Sequence, residues 1–309
     1  MKHAKKLVAL GAIVVAGALV FRTFLASPLP APAALDGPLP SSSPPPEMKL
    51  ARIVTGVTHR SAAVAYRGGS FSDQRDFGMR ALLVRHPKGD VLVDTGMGRA
   101  IDAQVAALPF WFRAVTSYTK GAAAADQLKA AGYDTKNLRA ILLTHAHWDH
   151  VSGVPDFPGT PVWITAEEHR FVDGGGWITQ TARDAHATWE EYAFEGGPYL
   201  GFPKSHDVYG DGAIVVVPAP GHTPGSVIVF VTTPDQKRYA MVGDLAWQRE
   251  GITLREERPW ITRSLADDDV PKTRESLLRI AAVKDRIADL VLVPAHDARA
   301  FENFPPLVP

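Results

Sequence analysis

The sequence predicts an α/β fold with two β-sheets, and three observations support it. Short apolar runs of four to seven residues recur along the 309-residue chain between Gly, Pro and Asp residues, which is typical of buried strands. Segments with helical periodicity separate these runs. Polar His and Asp residues follow several of the runs directly. The length exceeds one average domain, but a two-sheet sandwich can use most of it as one unit.

The N-terminus has the layout of an export signal. A basic head is followed by a nearly uninterrupted apolar run from Leu7 to Phe21. Residues 1–26 are therefore predicted to be a signal peptide or membrane anchor, although the run is short of the ~20 residues that span a bilayer comfortably. The basic head would stay cytoplasmic, which places the rest in the periplasm or another extracytoplasmic compartment, membrane-anchored or secreted.

Residues 27–48 are rich in Pro, Ala and Ser, a composition typical of an extended linker. Residues 49–309 then form the predicted folded domain. The 33 Lys and Arg residues equal the 33 Asp and Glu residues, so no net field attracts nucleic acid, and a small-molecule substrate is expected instead. The chain has no Cys, which excludes thiolate ligands, disulfides and a Cys nucleophile.

The elements of the domain follow in order. Strands are predicted at 49–58, 62–66, 79–85, 91–93, 139–143, 161–164, 213–217, 226–232, 238–242 and 290–293. The turn at 87–90 makes the third and fourth of these strands a hairpin. Helices are predicted at 122–131, 166–172 and 271–289. Three aspartates at 267–269 favour the start of the last helix through its dipole.

The densest cluster of polar chemistry follows the strand at 139–143. His145 and His147 alternate, so both can point at one centre, and Asp149 and His150 can join them if the chain turns there. Neutral imidazoles with a carboxylate are the ligand set of Zn²⁺, and with less preference of iron or manganese. A surface patch of histidines would not lie directly behind a buried strand. The sequence therefore predicts a metal site.

The pattern His-x-His-x-Asp-His resembles the metal motif of the metallo-β-lactamase superfamily. That family needs a later His, a bridging acid and a final His, and His222, Asp244 and His296 occur in that order, each just past an apolar strand. The resemblance covers the chain from about Arg52 to His296. It implies a four-layered αββα sandwich of the metallo-β-lactamase type.

The resemblance also implies a site for two divalent metal ions, with Zn favoured and Fe or Mn as alternatives. His145, His147 and His222 would bind one ion, Asp149, His150 and His296 would bind the other, and Asp244 would bridge them. Seven protein ligands are too many for a single Zn²⁺. A hydroxide shared by the two ions would attack the substrate, and Asp149 would act as a general acid–base.

Asp94, which directly follows the strand at 91–93, is expected to orient one of the ligand imidazoles, because the superfamily has an Asp at this place. The alternative is a turn residue that caps its own backbone.

Aromatic residues suggest the substrate pocket. Leu108 to Phe112 holds three consecutive aromatics, and an aromatic-rich insertion is predicted at about 174–205. Phe110, Trp111, Trp177 and Trp247 are the predicted pocket residues, with the insertion as a roof over the site. The alternatives are an apolar helix packed on both sides, a helical hairpin on the sandwich, or a dimer contact.

The resemblance favours the lactonase-like branch and hydrolysis of a small, largely apolar ester or lactone. One departure is Trp247, because such lactonases often carry a Tyr shortly after the bridging Asp to hold the carbonyl oxygen. Tyr66 and Tyr118 are the candidates to replace it. The alternatives are an organophosphate or phosphodiester hydrolase, and a metal-binding protein without turnover.

Overall fold

The structure, a computed structural model, describes residues 15–308. Most of the predicted signal segment lies outside the described residues. Residues 15–22 are helical, and among residues 15–308 no helix is both long and apolar enough to cross a membrane. The signal peptide or anchor, and the location outside the cytoplasm, therefore stay predictions.

Two sheets form the centre of the domain. The first contains seven strands in the spatial order β4-β1-β2-β3-β5-β6-β7, and the second contains five in the order β12-β11-β10-β9-β8. The strands of the first sheet are β1 (Lys49–Ser61), β2 (Gln74–Arg85), β3 (Asp90–Val93), β4 (Thr119–Lys120), β5 (Leu138–Leu142), β6 (Pro161–Thr165) and β7 (Thr188–Tyr192). Those of the second are β8 (His206–Asp207), β9 (Ile214–Pro218), β10 (Val227–Thr232), β11 (Arg238–Gly243) and β12 (Val291–Pro294).

Helices cover the outer face of each sheet. The α-helices are Ile101–Ala107, Phe110–Val115, Ala124–Ala130, Trp148–Val151, Ala166–Gly174, Gln180–Asp184, Arg249–Thr253, Trp260–Ala266, Val270–Arg286 and Ala298–Phe301. Short 3₁₀ turns lie at Ala62–Val64, Thr135–Asn137, Val154–Asp156 and Trp177–Thr179.

The alternation of side chains along the strands creates the layers. Leu82 and Val84 on β2 face the second sheet and share a buried cluster with Val216 and Val229, whereas Leu83 faces outward to the helices. The helix Val270–Arg286 packs on the opposite face of the second sheet. The order helix, sheet, sheet, helix confirms the predicted αββα sandwich.

Most predicted elements are present. The hairpin pairs Leu82 with Val93 in antiparallel register. The side chain of Asp269 accepts a hydrogen bond from the Lys272 amide and caps the last predicted helix. The strand predicted at 62–66 is wrong, because the chain turns after β1 and the Ala65 amide donates to the Ala62 carbonyl at 3.0 Å.

Residues 27–48 contain no helix or strand but lie against the domain. The Leu29 amide donates to the Arg255 carbonyl at 2.8 Å, and the Ser43 amide donates to the Asp211 carbonyl at 2.7 Å. Leu35 packs against the buried cluster under the helix Val270–Arg286. This segment therefore follows the surface of the second sheet, while the domain boundaries themselves stay predictions.

The aromatic residues between 177 and 202 do not form a roof over the site. The strand β7 lies in this segment and extends the first sheet by parallel pairing with β6. Trp189 packs on the outer face of that sheet, Tyr192 and Phe194 pack against the cluster between the sheets, and Phe202 packs on the second sheet. These four rings therefore cover the surfaces of the sheets. Trp177 packs against Trp111 and Phe112, near the site.

Candidate metal centre

Loops at one end of the two sheets bring the predicted ligands together. The loop after β5 and the following helix Trp148–Val151 supply four of them, and the β9–β10 turn and the ends of β11 and β12 supply one each. All seven side chains are buried: His145, His147, Asp149, His150, His222, Asp244 and His296. The fold thus brings the cluster at 145–150 together with His222, Asp244 and His296. The first and last of these ligands are 151 positions apart in the sequence.

Three imidazoles form a compact triangle. The ring centres of His145, His147 and His222 lie 4.6–4.7 Å from one another. The Nε2 atoms of His145 and His222 are 3.2 Å apart. Ligand atoms from each of three groups lie within 4.8 Å of one another: His145, His147 and His222; His145, His150 and Asp244; Asp149, His150 and His296.

Asp244 lies between the two sets of histidines. Its carboxylate is 3.6 Å from His222 Nε2, 3.4 Å from His150 Nε2 and 3.1 Å from His296 Nε2. The second set also includes Asp149, whose Oδ2 is 3.4 Å from His296 Nε2. Asp244 is therefore the residue that reaches both halves of the cluster, which is the position expected of a bridging ligand.

The donor set fits divalent cations. Asp244 Oδ1 and His150 Nε2 are buried and have no hydrogen-bond partner among the described residues. A buried polar atom without a partner destabilises the folded state, and a bound cation would provide that partner. Nitrogen and oxygen donors in this arrangement are the ligands that Zn²⁺ and related ions accept.

Electrostatics divide the cluster in two. Burial, together with the neighbouring imidazoles, lowers the pKa of His145 and of His147 well below the usual value, so both are held neutral. Burial opposes protonation of His150 too, but the carboxylates of Asp94 and Asp149 raise its pKa well above the usual value. Burial likewise opposes ionisation of Asp244, but His296 and His150 bring its pKa well below the usual range. Positive charge is thus favoured beside the carboxylates.

Asp94 contacts a predicted ligand, as the sequence suggested. One carboxylate oxygen accepts a hydrogen bond from the Thr144 amide at 2.8 Å. The other lies 2.9 Å from His150 Nδ1 and accepts from the Thr144 hydroxyl at 2.8 Å. Asp94 has a φ of 54°, a left-handed conformation that Asp and Asn tolerate better than most residues. The carboxylate thereby directs the Nε2 atom of His150 toward Asp244.

Asp94→Asn should weaken metal binding without disturbing the backbone, since Asn also accepts the left-handed conformation. The loss of the charged acceptor at His150 Nδ1 is expected to cost about 10–100-fold in metal affinity or activity. Competition with a chromogenic chelator measures the affinity. Asp76→Asn, at an exposed position on β2, is the control, and equal affinities in the two variants would contradict the orienting role.

Two further histidines are oriented by groups that the sequence did not reveal. His222 Nδ1 lies 3.2 Å from Asp267, whose buried carboxylate also pairs with Arg258. His296 Nδ1 donates to the Gly78 carbonyl at 3.0 Å. In both rings this leaves Nε2 directed at the cluster. In the sequence, Asp267 belongs to an acidic run before a helix, and nothing in its spacing distinguishes it from Asp268 and Asp269.

Glu168 joins the two histidine loops and was also missed. It is 1% exposed and lies in the first turn of the helix Ala166–Gly174. Its carboxylate accepts hydrogen bonds from the Ala146 amide at 2.7 Å, the Thr223 hydroxyl at 2.6 Å and the Gly225 amide at 2.9 Å. The loops that carry His147 and His222 are thus held by one side chain.

The stability of the metal-free protein should depend on Glu168 in a defined pH range. Burial raises the pKa of Glu168 from 4.5 to about 7, although its three hydrogen bonds oppose the shift. Between these values the folded state holds a proton that the unfolded chain has lost, so this stabilising contribution is complete below pH 4.5 and disappears as the pH rises through about 7. Glu168→Gln should remove that part of the pH dependence.

Urea unfolding at several pH values measures this difference. Glu167→Gln is the matched control, because Glu167 is the neighbouring residue and its side chain is exposed to solvent. Identical pH profiles for the wild type and Glu168→Gln would show that Glu168 does not carry the effect.

Trp247 is tied to the bridging acid. Its indole Nε1 donates to Asp244 Oδ2 at 2.9 Å, and the guanidinium of Arg258 lies 5.1 Å from its ring centre. Tyr118 lines the cavity that opens above the ligands, but its hydroxyl donates to Asp102 at 2.9 Å. The Tyr66 hydroxyl accepts from Arg75, and its side chain is not among those that line the cavity. Because Tyr118 donates its proton to Asp102 and Tyr66 lies outside the cavity lining, neither tyrosine takes the place expected of the lactonase Tyr.

An apolar cavity opens above the ligands. His147, Asp149, His222, Asp244 and His296 lie in its base, and its walls are mainly Val64, Phe77, Met79, Phe112, Val115, Trp148, Ile178, Trp247, Ile261 and Leu265. Trp247 lines it as predicted. Phe110 and Trp111 do not belong to the lining, because only one face of the short helix Phe110–Val115, with Phe112 and Val115, turns toward the cavity. Trp177 does not line it either and packs against Trp111 and Phe112.

Comparison with known proteins agrees with this geometry. Residues 79–296 match the model of the metallo-β-lactamase superfamily. A probable metallo-hydrolase of Mycobacterium tuberculosis is 32% identical over 237 residues, which are 72% of this chain and 75% of that protein. The N-acyl homoserine lactonase AttM of Rhizobium radiobacter is 25% identical over 72% of this chain and 82% of its own length.

Solved structures share the fold. An N-acyl homoserine lactone hydrolase, with the product N-hexanoyl-L-homoserine bound at its catalytic metal centre, aligns with a TM-score of 0.65 and 18% identity. The alignment covers 82% of this chain and 95% of that one. A dizinc quorum-quenching lactonase, AidC, aligns with a TM-score of 0.58 and 19% identity, over 82% of this chain and 88% of its own.

Proposed function

Because the chain belongs to the metallo-β-lactamase superfamily and is a metal-dependent hydrolase acting on ester bonds, we propose that it opens a small, largely apolar lactone or ester at a centre of two divalent cations. The observation that carries this proposal is the position of the cluster. Seven buried ligand side chains converge at the base of a cavity whose walls are mostly apolar. Such a cavity can hold an acyl chain while the reacting carbonyl reaches the ligands.

The relatives support a lactone in particular. The AttM proteins are named N-acyl homoserine lactonases, and the solved hydrolase holds an N-acyl homoserine product at its metal centre. The proposal includes esters other than lactones because of Trp247. Its indole N–H donates to Asp244 and is not offered to a substrate carbonyl.

In this proposal the ligands are divided between the two cations in the way that the family resemblance implies. His145, His147 and His222 would hold one, and Asp149, His150 and His296 would hold the other, with Asp244 shared. The cations, with zinc the expected metal, would supply a hydroxide near neutral pH and polarise the substrate carbonyl.

Side chains of the protein orient the ligands, transfer the proton and exclude water. Trp247 fixes one oxygen of Asp244, and Asp94, Asp267 and the Gly78 carbonyl fix three imidazoles. Asp149 lies in the base of the cavity, where it can take the proton of the attacking water and pass it to the leaving oxygen. The apolar walls exclude bulk water around the acyl portion.

A substrate panel on metal-loaded protein tests the proposal. An acyl lactone and an aryl ester should be hydrolysed with higher kcat/KM than a phosphotriester or a phosphodiester, and the protein should hold two equivalents of metal. A preference for the phosphorus substrates would favour an organophosphate or phosphodiester hydrolase. Two bound equivalents without turnover of any of the four would favour a metal-binding protein.

We also propose that the mature protein is extracytoplasmic, either tethered by its N-terminus or secreted. The basic and apolar composition of residues 2–21 supports this. Cell fractionation tests it, and recovery of the mature protein in the cytosol would contradict it.

A further inference from the structure

Two short helices flank the mouth of the cavity and present apolar side chains to solvent. They are Phe110–Val115 and Trp260–Ala266, together called the rim, and neither has a buried residue. Phe112 and Val115 of the first and Ile261 and Leu265 of the second line the cavity. Both helices therefore border one opening.

The outward side chains of the rim are large and apolar. Phe110 is 76% exposed, Trp111 is 40% exposed and Trp260 is 50% exposed. Val115, Ile261 and Leu265 are exposed as well. Contiguous apolar surface of this kind around a pocket is typical of an interaction site.

The composition of the rim fits a lipid surface. Neither helix contains Asp or Glu, and each carries one Arg in its last turn. Arg113 is exposed, whereas Arg263 forms an ion pair with Glu257 at 3.1 Å. Exposed Trp beside aliphatic side chains and the cation of Arg113, with no acid inside either helix, is the pattern of segments that lie at the boundary between lipid headgroups and acyl chains.

A second observation points to the same partner. The residues just after the N-terminal apolar run are held against the domain, and one of their contacts is close to the rim in the chain. The Ser27 amide donates to the Glu256 carboxylate at 2.8 and 3.0 Å, and the Gly68 amide donates to the Phe24 carbonyl at 2.7 Å. Glu256 is four residues before Trp260, a span of at most ~14 Å. Val15 and Leu19 of the preceding helical residues are 59% exposed.

We propose that the rim docks on a lipid bilayer, so that the mouth of the cavity faces the membrane. Substrates with acyl chains would then enter the cavity from the lipid. This contact does not depend on turnover, so it can be tested whether or not the proposed reaction is correct.

Tryptophan quenching tests the contact directly. The full-length, metal-loaded protein is mixed with phosphatidylcholine vesicles whose acyl chains are brominated, and with unbrominated vesicles as the reference. Trp111→Phe and Trp260→Phe should each remove part of the quenching, and both together most of it. Trp189→Phe should leave it unchanged, because Trp189 packs on the outer face of the first sheet. Quenching that is indifferent to both rim substitutions would overturn the proposal.

Turnover provides a second readout. Phe110→Asp with Trp260→Asp should slow hydrolysis of a long-chain lactone presented in vesicles by about tenfold or more, since two large apolar contacts are lost. Neither residue lines the cavity, so hydrolysis of a dissolved short-chain lactone should not change. Val308→Asp is the matched control, at an exposed position beside the opposite end of β1.

Two outcomes separate the competing explanations. If the protein sediments as a dimer without lipid and Phe110→Asp with Trp260→Asp makes it a monomer, the rim is a contact between two copies and the proposal fails. If His147→Ala abolishes hydrolysis but keeps the rim-dependent quenching, the lipid contact stands independently of the proposed activity.

Discussion

Alanine in place of Asp244 is expected to remove metal and activity together. Asp244 approaches His222, His150 and His296 within 3.1–3.6 Å, so its loss affects both halves of the cluster. Since removing a group that only supports a ligand already costs up to about 100-fold, we expect removal of the shared ligand itself to exceed that. Metal analysis after loading and dialysis, with kcat/KM for an acyl lactone, measures both effects.

Asp235→Ala is the control, because Asp235 lies in the β10–β11 turn, where it contacts Thr233 away from the ligands. A joint loss of bound metal and of kcat/KM would show that activity depends on the metal. Turnover that persists in an Asp244→Ala protein with no bound metal would remove the basis for a metal-dependent mechanism. Asp244→Asn adds a further comparison, since it keeps an oxygen ligand but not the charge.

The ligands could be predicted from the sequence because each follows a recognisable strand. His145, Asp244 and His296 lie one to three positions past apolar runs, and strand ends in an α/β fold meet at one edge. The order of these residues along the chain then matched the order of ligands in the superfamily motif. The same reasoning predicted the hairpin of β2 and β3, and it predicted a long helix at 271–289, which the structure has at 270–286.

The groups that position the ligands could not be predicted in the same way. Asp267 is 45 residues from His222, and Glu168 is 22 residues from Ala146, so no local pattern connects them. Their roles arise only when helices pack against the loops. The prediction of the aromatic pocket residues was partly wrong for a related reason. Composition does not reveal which face of a short helix turns inward. Phe112 lines the cavity, whereas its neighbour Trp111 faces outward.

Asp149→Asn is expected to separate metal binding from proton transfer. Asparagine keeps an oxygen that can approach a cation but has no carboxylate to carry a proton. Asp149 lies in the base of the cavity, within reach of a bound substrate, and general acid–base catalysis by this group would contribute ~10²–10⁴-fold to kcat. The measurements are metal content and kcat on a lactone. A variant that loses metal in proportion to activity would show that Asp149 acts only as a ligand.

The leaving group provides a sharper distinction. Opening a lactone releases an alkoxide, which needs a proton as the bond breaks, whereas an aryl ester releases a phenolate, which is stable without one. If Asp149 delivers that proton, Asp149→Asn should slow the lactone much more than the aryl ester. An equal loss on both substrates would assign the defect to the cations and their ligands. Because the comparison is made within one variant, differences in folding or metal loading cancel.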